Sequence, residues 1–451
     1  MTVTPPPIAQ RRPYRHSYHG VDLDDPYFWL QDPGYPQVED TDVLAYLDEE
    51  NAYFESWYEP HRGLTQTLFE ELKGRKPEQD ESVPYEKNGY RYQWRFNAGD
   101  QYRVWLRQAT TDDSEQWSTL LNENTLAAGC EYFRLGALTV SPDGTKLAYS
   151  TDTNGSERFT LQVINIATGD ALTTAIENCA GSVVWNADSN GFAYLLVNEN
   201  WRPDKALYRA LINDEDTLLY QEQDDSFFVS LGLSQSEQLM FISCGDHVTS
   251  EVRFVPRSNL LAEKTLIATR RAGHEYDVEH QGDSAETGRL MIRSNCNHPN
   301  FDLFETPLAT PEEAHWQILL AGNDSHYLMG HIAFADALVV CLRIDGLDQV
   351  QIVTDSGSHL IEFPEPAYSV DLGTNPSFET DTLRLAYTSM VTPHTVFDYC
   401  WQTKALTRLK VQEIPGGYEA SDFVSERRQV IARDGAHAVS YTHLTLPTIM
   451  P

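Results

Sequence analysis

Ser141-Pro142-Asp143-Gly144, followed closely by Leu147-Ala148-Tyr149-Ser150, is the stretch that decides the fold. A turn rich in Asp and Gly leads into a short, apolar, β-prone run. Tight hairpin turns need positive φ, which Gly, Asn and Asp tolerate. The run after it is a strand signature. The same unit recurs on both sides. Upstream it is Glu86-Lys87-Asn88-Gly89-Tyr90. Downstream it returns as Asn186-Ala187-Asp188-Ser189-Asn190-Gly191, Ser234-Gln235-Ser236-Glu237, Asp283-Ser284-Ala285-Glu286, Phe334-Ala335-Asp336 and Glu379-Thr380-Asp381. The spacing is about 45–55 residues, the period of propeller blades built from four strands. About seven such units predict an all-β, seven-bladed β-propeller over residues 79–425, each blade burying its faces against its neighbours. The Trp-Asp dipeptide of one common propeller class is absent from the chain.

Ahead of the repeats the texture is helical. Val43, Leu44, Leu47, Phe54, Trp57 and Tyr58 recur at helical intervals behind Asp40 and Thr41, both suitable caps. Leu64, Leu68, Phe69 and Leu72 form a second amphipathic stretch that Gly74 is placed to end. Residues 1–78 therefore read as a short α-helical segment. The stretch from Pro77 to Pro84 reads as a polar linker.

Composition narrows the function. The 451 residues carry 67 Asp and Glu against 33 Lys and Arg, a formal charge of −34. Phosphate backbones would be repelled, which argues against nucleic acid. No apolar run approaches the ~20 residues of a membrane-spanning helix. No apolar stretch follows the N-terminal arginines, so no secretory leader is expected. Cys130, Cys179, Cys244, Cys296, Cys341 and Cys400 are spread without a CxxC pair. That pattern predicts free thiols in a reducing cytoplasm, with neither zinc nor redox spacing.

A search for chemistry finds little. There is no Gly-x-Ser-x-Gly, the nucleophile elbow of α/β-hydrolases. His274 and His280 are six apart, whereas a zinc-binding helix needs its two histidines four apart. They read as members of a solvated loop, and His298 beside Pro299 as a surface residue. Arg202-Pro203 and Thr249-Ser250-Glu251 read as blade structure. No metal site and no cofactor are expected.

Other motifs carry a resemblance. His19-Gly20-Val21-Asp22, Asp25-Pro26-Tyr27-Phe28-Trp29-Leu30, Asp152-Thr153-Asn154-Gly155-Ser156-Glu157-Arg158-Phe159 and Asn300-Phe301-Asp302-Leu303 are four of them. Thr388-Ser389-Met390-Val391-Thr392-Pro393, Gln412-Glu413-Ile414-Pro415-Gly416-Gly417-Tyr418 and Ala432-Arg433-Asp434-Gly435 follow. Together they resemble the prolyl oligopeptidase family of serine peptidases, in its oligopeptidase B branch. The resemblance implies a propeller that caps an α/β-hydrolase domain and limits access to it. It implies cleavage of short peptides after Lys or Arg, so short basic peptides are the expected partners. Residues 426–438 would begin the hydrolase domain. The family's Ser, Asp and His triad follows the propeller, so no catalytic residue carries over, and this chain by itself is expected to be inactive.

The resemblance also implies that Glu157 faces the cavity and contacts substrate or the hydrolase domain. It implies an exposed apolar patch at Trp29, Tyr53, Phe54 and Trp57, where that domain would pack. Residues 439–451 depart from the family pattern and resemble translated sequencing adapter, a non-native tail. Two other readings stay open. One is a stand-alone propeller that binds peptides or proteins; the other is an enzyme with its site inside the propeller.

Overall fold

The computed structural model describes residues 5–445, except 36, 113, 115 and 436. Of residues 439–451, expected as a non-native tail, 446–451 lie outside the described residues, and 439–445 belong to strand His437–Thr445, which pairs with Phe423–Ile431. The chain divides into two compact units. One is Met1–Pro77 with Ile414–Tyr418; the other is Glu78–Glu413 with Glu419–Pro451.

The smaller unit holds a hairpin, Arg15–Tyr18 against Val21–Asp24, and two helices. Helix α1 spans Thr41–Tyr58, and its N-cap Asp40 accepts hydrogen bonds from the amides of Asp42 and Val43. Helix α2 spans Arg62–Gly74. Val43 is the one buried residue of α1, and α2 has none. Phe54 and Trp57 are about half exposed, as are Leu68 and Phe69. Trp29 differs from the expected patch. Its indole donates to the Gln10 carbonyl, and the Arg12 guanidinium lies 4.1 Å over its ring.

The larger unit is an all-β propeller, but its blade count corrects the seven-bladed expectation. Among the described residues, five sheets of four or five strands stand as separate blades. The first begins at Asp80–Glu81 and ends at Ser118–Asn122. The others run Phe228–Leu233 to Thr265–Leu266, Tyr276–Gln281 to Gln317–Leu320, His326–Ala333 to Gly357–Leu360 and Ser369–Leu372 to Ala405–Val411. Between the first and second of these lies one continuous seven-stranded sheet, from Arg134–Val140 to Glu215–Gln221, where two further blades were expected.

The cause is the ten-residue strand Ile176–Trp185. Its start pairs backwards with Phe159–Asn165, and its end pairs forwards with Gly191–Val197. Cys179 is matched on both sides, to Phe159 and to Leu196, and the register shifts between Cys179 and Val183. One strand thus closes one four-strand group and opens the next. The sequence repeat counts turns, and here two turns belong to one sheet. The presumed linker also differs: Asp80 and Glu81 pair with Phe96 and Arg95 in the first sheet.

Alternate strand residues point to opposite faces, and apolar residues on both faces bury against the next sheet. Clusters such as Val339, Ile352, Leu383 and Leu385, or Leu239, Phe254, Leu290 and Ile292, join successive sheets.

Candidate functional site

The repeated turns meet. Each lies before the second strand of its repeat, and five of them, those holding Lys87, Ala187, Gln235, Asp283 and Glu379, line one cavity of about 420 Å³, with the other two bonded beside them in the same collar. The collar is linked turn to turn. Arg107 donates to the Gly144 carbonyl at 2.7 Å, and the Asp143 amide to Ser189 Oγ at 3.1 Å. The Ala187 amide donates to the Arg257 carbonyl, and Arg257 Nε to the Trp185 carbonyl. Gln281 donates to the Phe334 carbonyl at 2.6 Å, and the Ala335 amide to that of Phe378 at 3.1 Å. Arg384 reaches the Pro84 carbonyl at 2.7 Å, joining the last sheet to the first.

One turn crosses the cavity. Gln235 Nε2 donates to the Asn375 carbonyl at 2.7 Å, 140 residues away. Its neighbour Glu237 holds φ near +57° and pairs with Arg257 at 2.6 Å and with Lys87 of the first sheet. Burial opposes ionisation of Glu237, but these two cations hold its carboxyl below the ordinary value. The Gln235 amide donates to Glu279 Oε1 at 2.9 Å, which also accepts from the His280 amide at 2.7 Å. Burial pushes the Glu279 carboxyl up to about 7 against those two bonds, and nearby Asp277 adds to the rise. Nothing in the local sequence marked Glu279, because the turn that donates to it lies 44 residues earlier.

The opposite end of the strands carries Glu157. Strand Lys146–Asp152 starts at the collar and ends at the loop 152–158, and seven strand residues span roughly 20 Å. Buried Asp152 organises that loop by accepting from the amides of Asn154, Gly155 and Glu157. The peptide at Glu157 is held at φ near +58°. Its carboxylate is exposed and takes a 2.9 Å hydrogen bond from Arg134. The next residue, Arg158, lies 4.8 Å over the Trp201 ring and donates to the Asn198 carbonyl. An exposed carboxylate paired with an exposed cation is free to exchange that partner for another.

The histidines fall elsewhere. His274 and His280 are buried, not solvated. His280 lies in strand Tyr276–Gln281, with Nδ1 2.7 Å from Ser236 Oγ. His274 Nε2 is 2.8 Å from Ser294 Oγ, and burial lowers its pKa. His298 Nδ1 accepts from the Asn300 amide and Nε2 lies 3.4 Å from Asp324. Among the described residues, no three His, Cys, Asp or Glu side chains gather as metal ligands. All six cysteines are free, with Cys179 and Cys244 buried and Cys130 exposed. No described helix is long and apolar enough to cross a membrane.

Successive sheets whose turns close on a shared mouth, with charged loops at the other end, define a β-propeller with one braced end and one polar end. The family model for the prolyl oligopeptidase N-terminal β-propeller domain matches residues 6–412. The chain belongs to the prolyl oligopeptidase family. It is 32% identical over 460 residues to a dipeptidyl aminopeptidase BI of Pseudoxanthomonas mexicana, covering 98% of this chain and 62% of that protein. It is 30% identical over 438 residues to a Protease 2 of Moraxella lacunata, covering 95% of this chain and 62% of that protein. Among solved structures, oligopeptidase B from Leishmania major superposes with a TM-score of 0.89 at 24% identity, over 98% of this chain and 65% of that one. The chain thus spans about three-fifths of the length of the curated relatives it matches.

Proposed function

We propose that this chain is the helical and propeller part of an oligopeptidase B-like serine endopeptidase that cleaves short peptides after Lys or Arg. In this reading the propeller gates access to a catalytic α/β-hydrolase portion. The 451 residues contain no Gly-x-Ser-x-Gly, and on its own the chain is inactive. The observation that carries the reading is the family match over 6–412 together with coverage of about three-fifths of the relatives. The −34 charge supports a preference for cationic peptides. The exposed carboxylate of Glu157 supports a contact with a basic group of the substrate or of the hydrolase portion. The six unpaired thiols support a reducing, cytoplasmic setting.

The relative named a dipeptidyl aminopeptidase favours a second reading, removal of dipeptides from free N-termini. The two separate on one measurement. An enzyme extended through the following reading frame is assayed on Arg-containing chromogenic peptides with free and with blocked N-termini. Endopeptidase activity tolerates the block and aminopeptidase activity does not. The 451-residue chain alone turns over neither substrate. Turnover by this purified chain would overturn the inactivity. A following frame without a serine elbow, together with basic-peptide binding in titration calorimetry, would favour a stand-alone binding module.

A further inference from the structure

One carboxylate in the larger unit collects four hydroxyls. Glu365 accepts from Tyr387 at 3.2 Å, Ser389 at 2.7 Å, Ser425 at 3.0 Å, and Thr392. Its backbone is preset. Pro364 and Pro366 flank it, and a residue before proline is confined to extended conformations. The rings of Phe363, Tyr368 and Tyr387 pack together with centroids 4.8–5.5 Å apart. Ser389 and Thr392 form a closed turn, since Ser389 Oγ also accepts from the Val391 and Thr392 amides. This is the Ser389-Met390-Val391-Thr392 motif, whose residues suggest no role on sequence alone.

The fourth hydroxyl is different. Ser425 lies 60 residues from Glu365, in strand Phe423–Ile431, which comes after the last blade. Arg427 of the same strand donates to the Asp345 carbonyl. That carbonyl is presented by the Asp345-Gly346 hairpin turn, both residues at positive φ. Residues two apart on a strand project from one face. Ser425 and Arg427 therefore form a two-point contact, matched to a fixed carboxylate on one loop and a fixed carbonyl on another.

We propose that Glu365 and the Asp345 turn form a clasp that holds the departing strand Phe423–Ile431 on the propeller and fixes the direction in which the chain leaves it. Glu365 is a positioning residue in this role. Its bearing on catalysis rests on the peptidase reading above; the clasp itself does not. Four hydrogen bonds converge on this one side chain, so losing the contact made by Ser425 should be felt locally.

The test is hydrogen exchange by mass spectrometry on this chain, which needs no peptidase activity and so fails or succeeds independently of that reading. In the double variant Ser425→Ala, Arg427→Ala, amides of 423–431 should exchange about tenfold faster, while Leu338–Ile344 and Thr382–Thr388 keep their protection. Glu365→Gln should loosen the same strand. Ser425→Thr, which keeps the hydroxyl, should retain the wild-type rate. Unchanged exchange at 423–431 in the double variant overturns the clasp. Equal loss across the blades overturns it too, since Ser425 and Arg427 would then only support the fold.

Discussion

Replacing Glu279 by Gln should change how the stability of the propeller depends on pH. The carboxyl is pushed by burial from its ordinary 4.5 up to about 7. Between those values the folded chain keeps a proton that the unfolded chain gives up. Stability therefore falls as pH rises through this window, and the deficit is complete above about 7. At about 1.4 kcal/mol per pH unit, the span corresponds to roughly 3 kcal/mol. Glu279→Gln keeps a carbonyl for the Gln235 and His280 amides and removes the charge. Near pH 5 variant and wild type should be about equally stable. At pH 8 the variant should be more stable by up to about 3 kcal/mol. The neighbouring titrating groups are His280 and His331, both with pKa lowered by burial, and Asp277, 3.3 Å from His331. Buried neutral histidines make stability rise with pH, the opposite sign. They are common to both proteins and cancel in the difference. The assay is urea unfolding of each protein at pH 5, 6, 7 and 8. A wild-type minus variant difference that does not move between pH 5 and pH 8 would refute the reasoning.

Two further outcomes follow from the same geometry. Glu237→Gln leaves Lys87 and Arg257 without their shared carboxylate and should cost about 3 kcal/mol at pH 7 in urea unfolding. That loss should shrink as pH falls below about 4.5, because a carboxyl held below its ordinary value stabilises only while it is ionised. Gly136→Ala would set a methyl 2.6 Å from the Phe159 ring and 2.6 Å from Ser150 Oγ. It should destabilise by about 1–3 kcal/mol, read as a lowered unfolding midpoint.

The turns were legible because their chemistry is local. Asn88-Gly89 and Gly144 take the positive φ that their sequence announces. They sit where the repeat spacing put them, and the alternation after each one marks a strand. The number of blades was not legible, because it depends on what Ile176–Trp185 pairs with on its two sides, and nothing within a strand records its partners. The buried histidines were misread for a related reason. His280 reads as solvated by composition, but the Ser236 hydroxyl and the Thr287 carbonyl satisfy its ring and make burial cheap. Glu279 and Glu365 were invisible for the same cause. A carboxylate looks like any surface acid until the residues around it, tens of positions away, are known.

The two ends of the strands divide the labour of the sheets. At the collar end, the turn Ser234–Gln238 is bonded to the first sheet through Lys87, to strand Tyr276–Gln281 through Glu279, and to the last sheet through Asn375. Among the described residues, no strand is shared between the first and last sheets; Arg384 to Pro84 and Lys410 to Asp80 join them. A ring closed only by side chains would be weak at that seam alone. Bonds across its mouth distribute the load, because the seam cannot open without also breaking bonds that lie elsewhere on the collar. The opposite ends are built differently. There the loop at Glu157 presents an exposed carboxylate, while the turns at Asp345 and Ser389 offer a carbonyl to Arg427 and a hydroxyl to Glu365. Rigid strands with polar loops at one end are how a scaffold holds functional groups in place. The motifs at Glu157 and Ser389 that resembled the family fall at this end, while the repeated turns that defined the fold fall at the other.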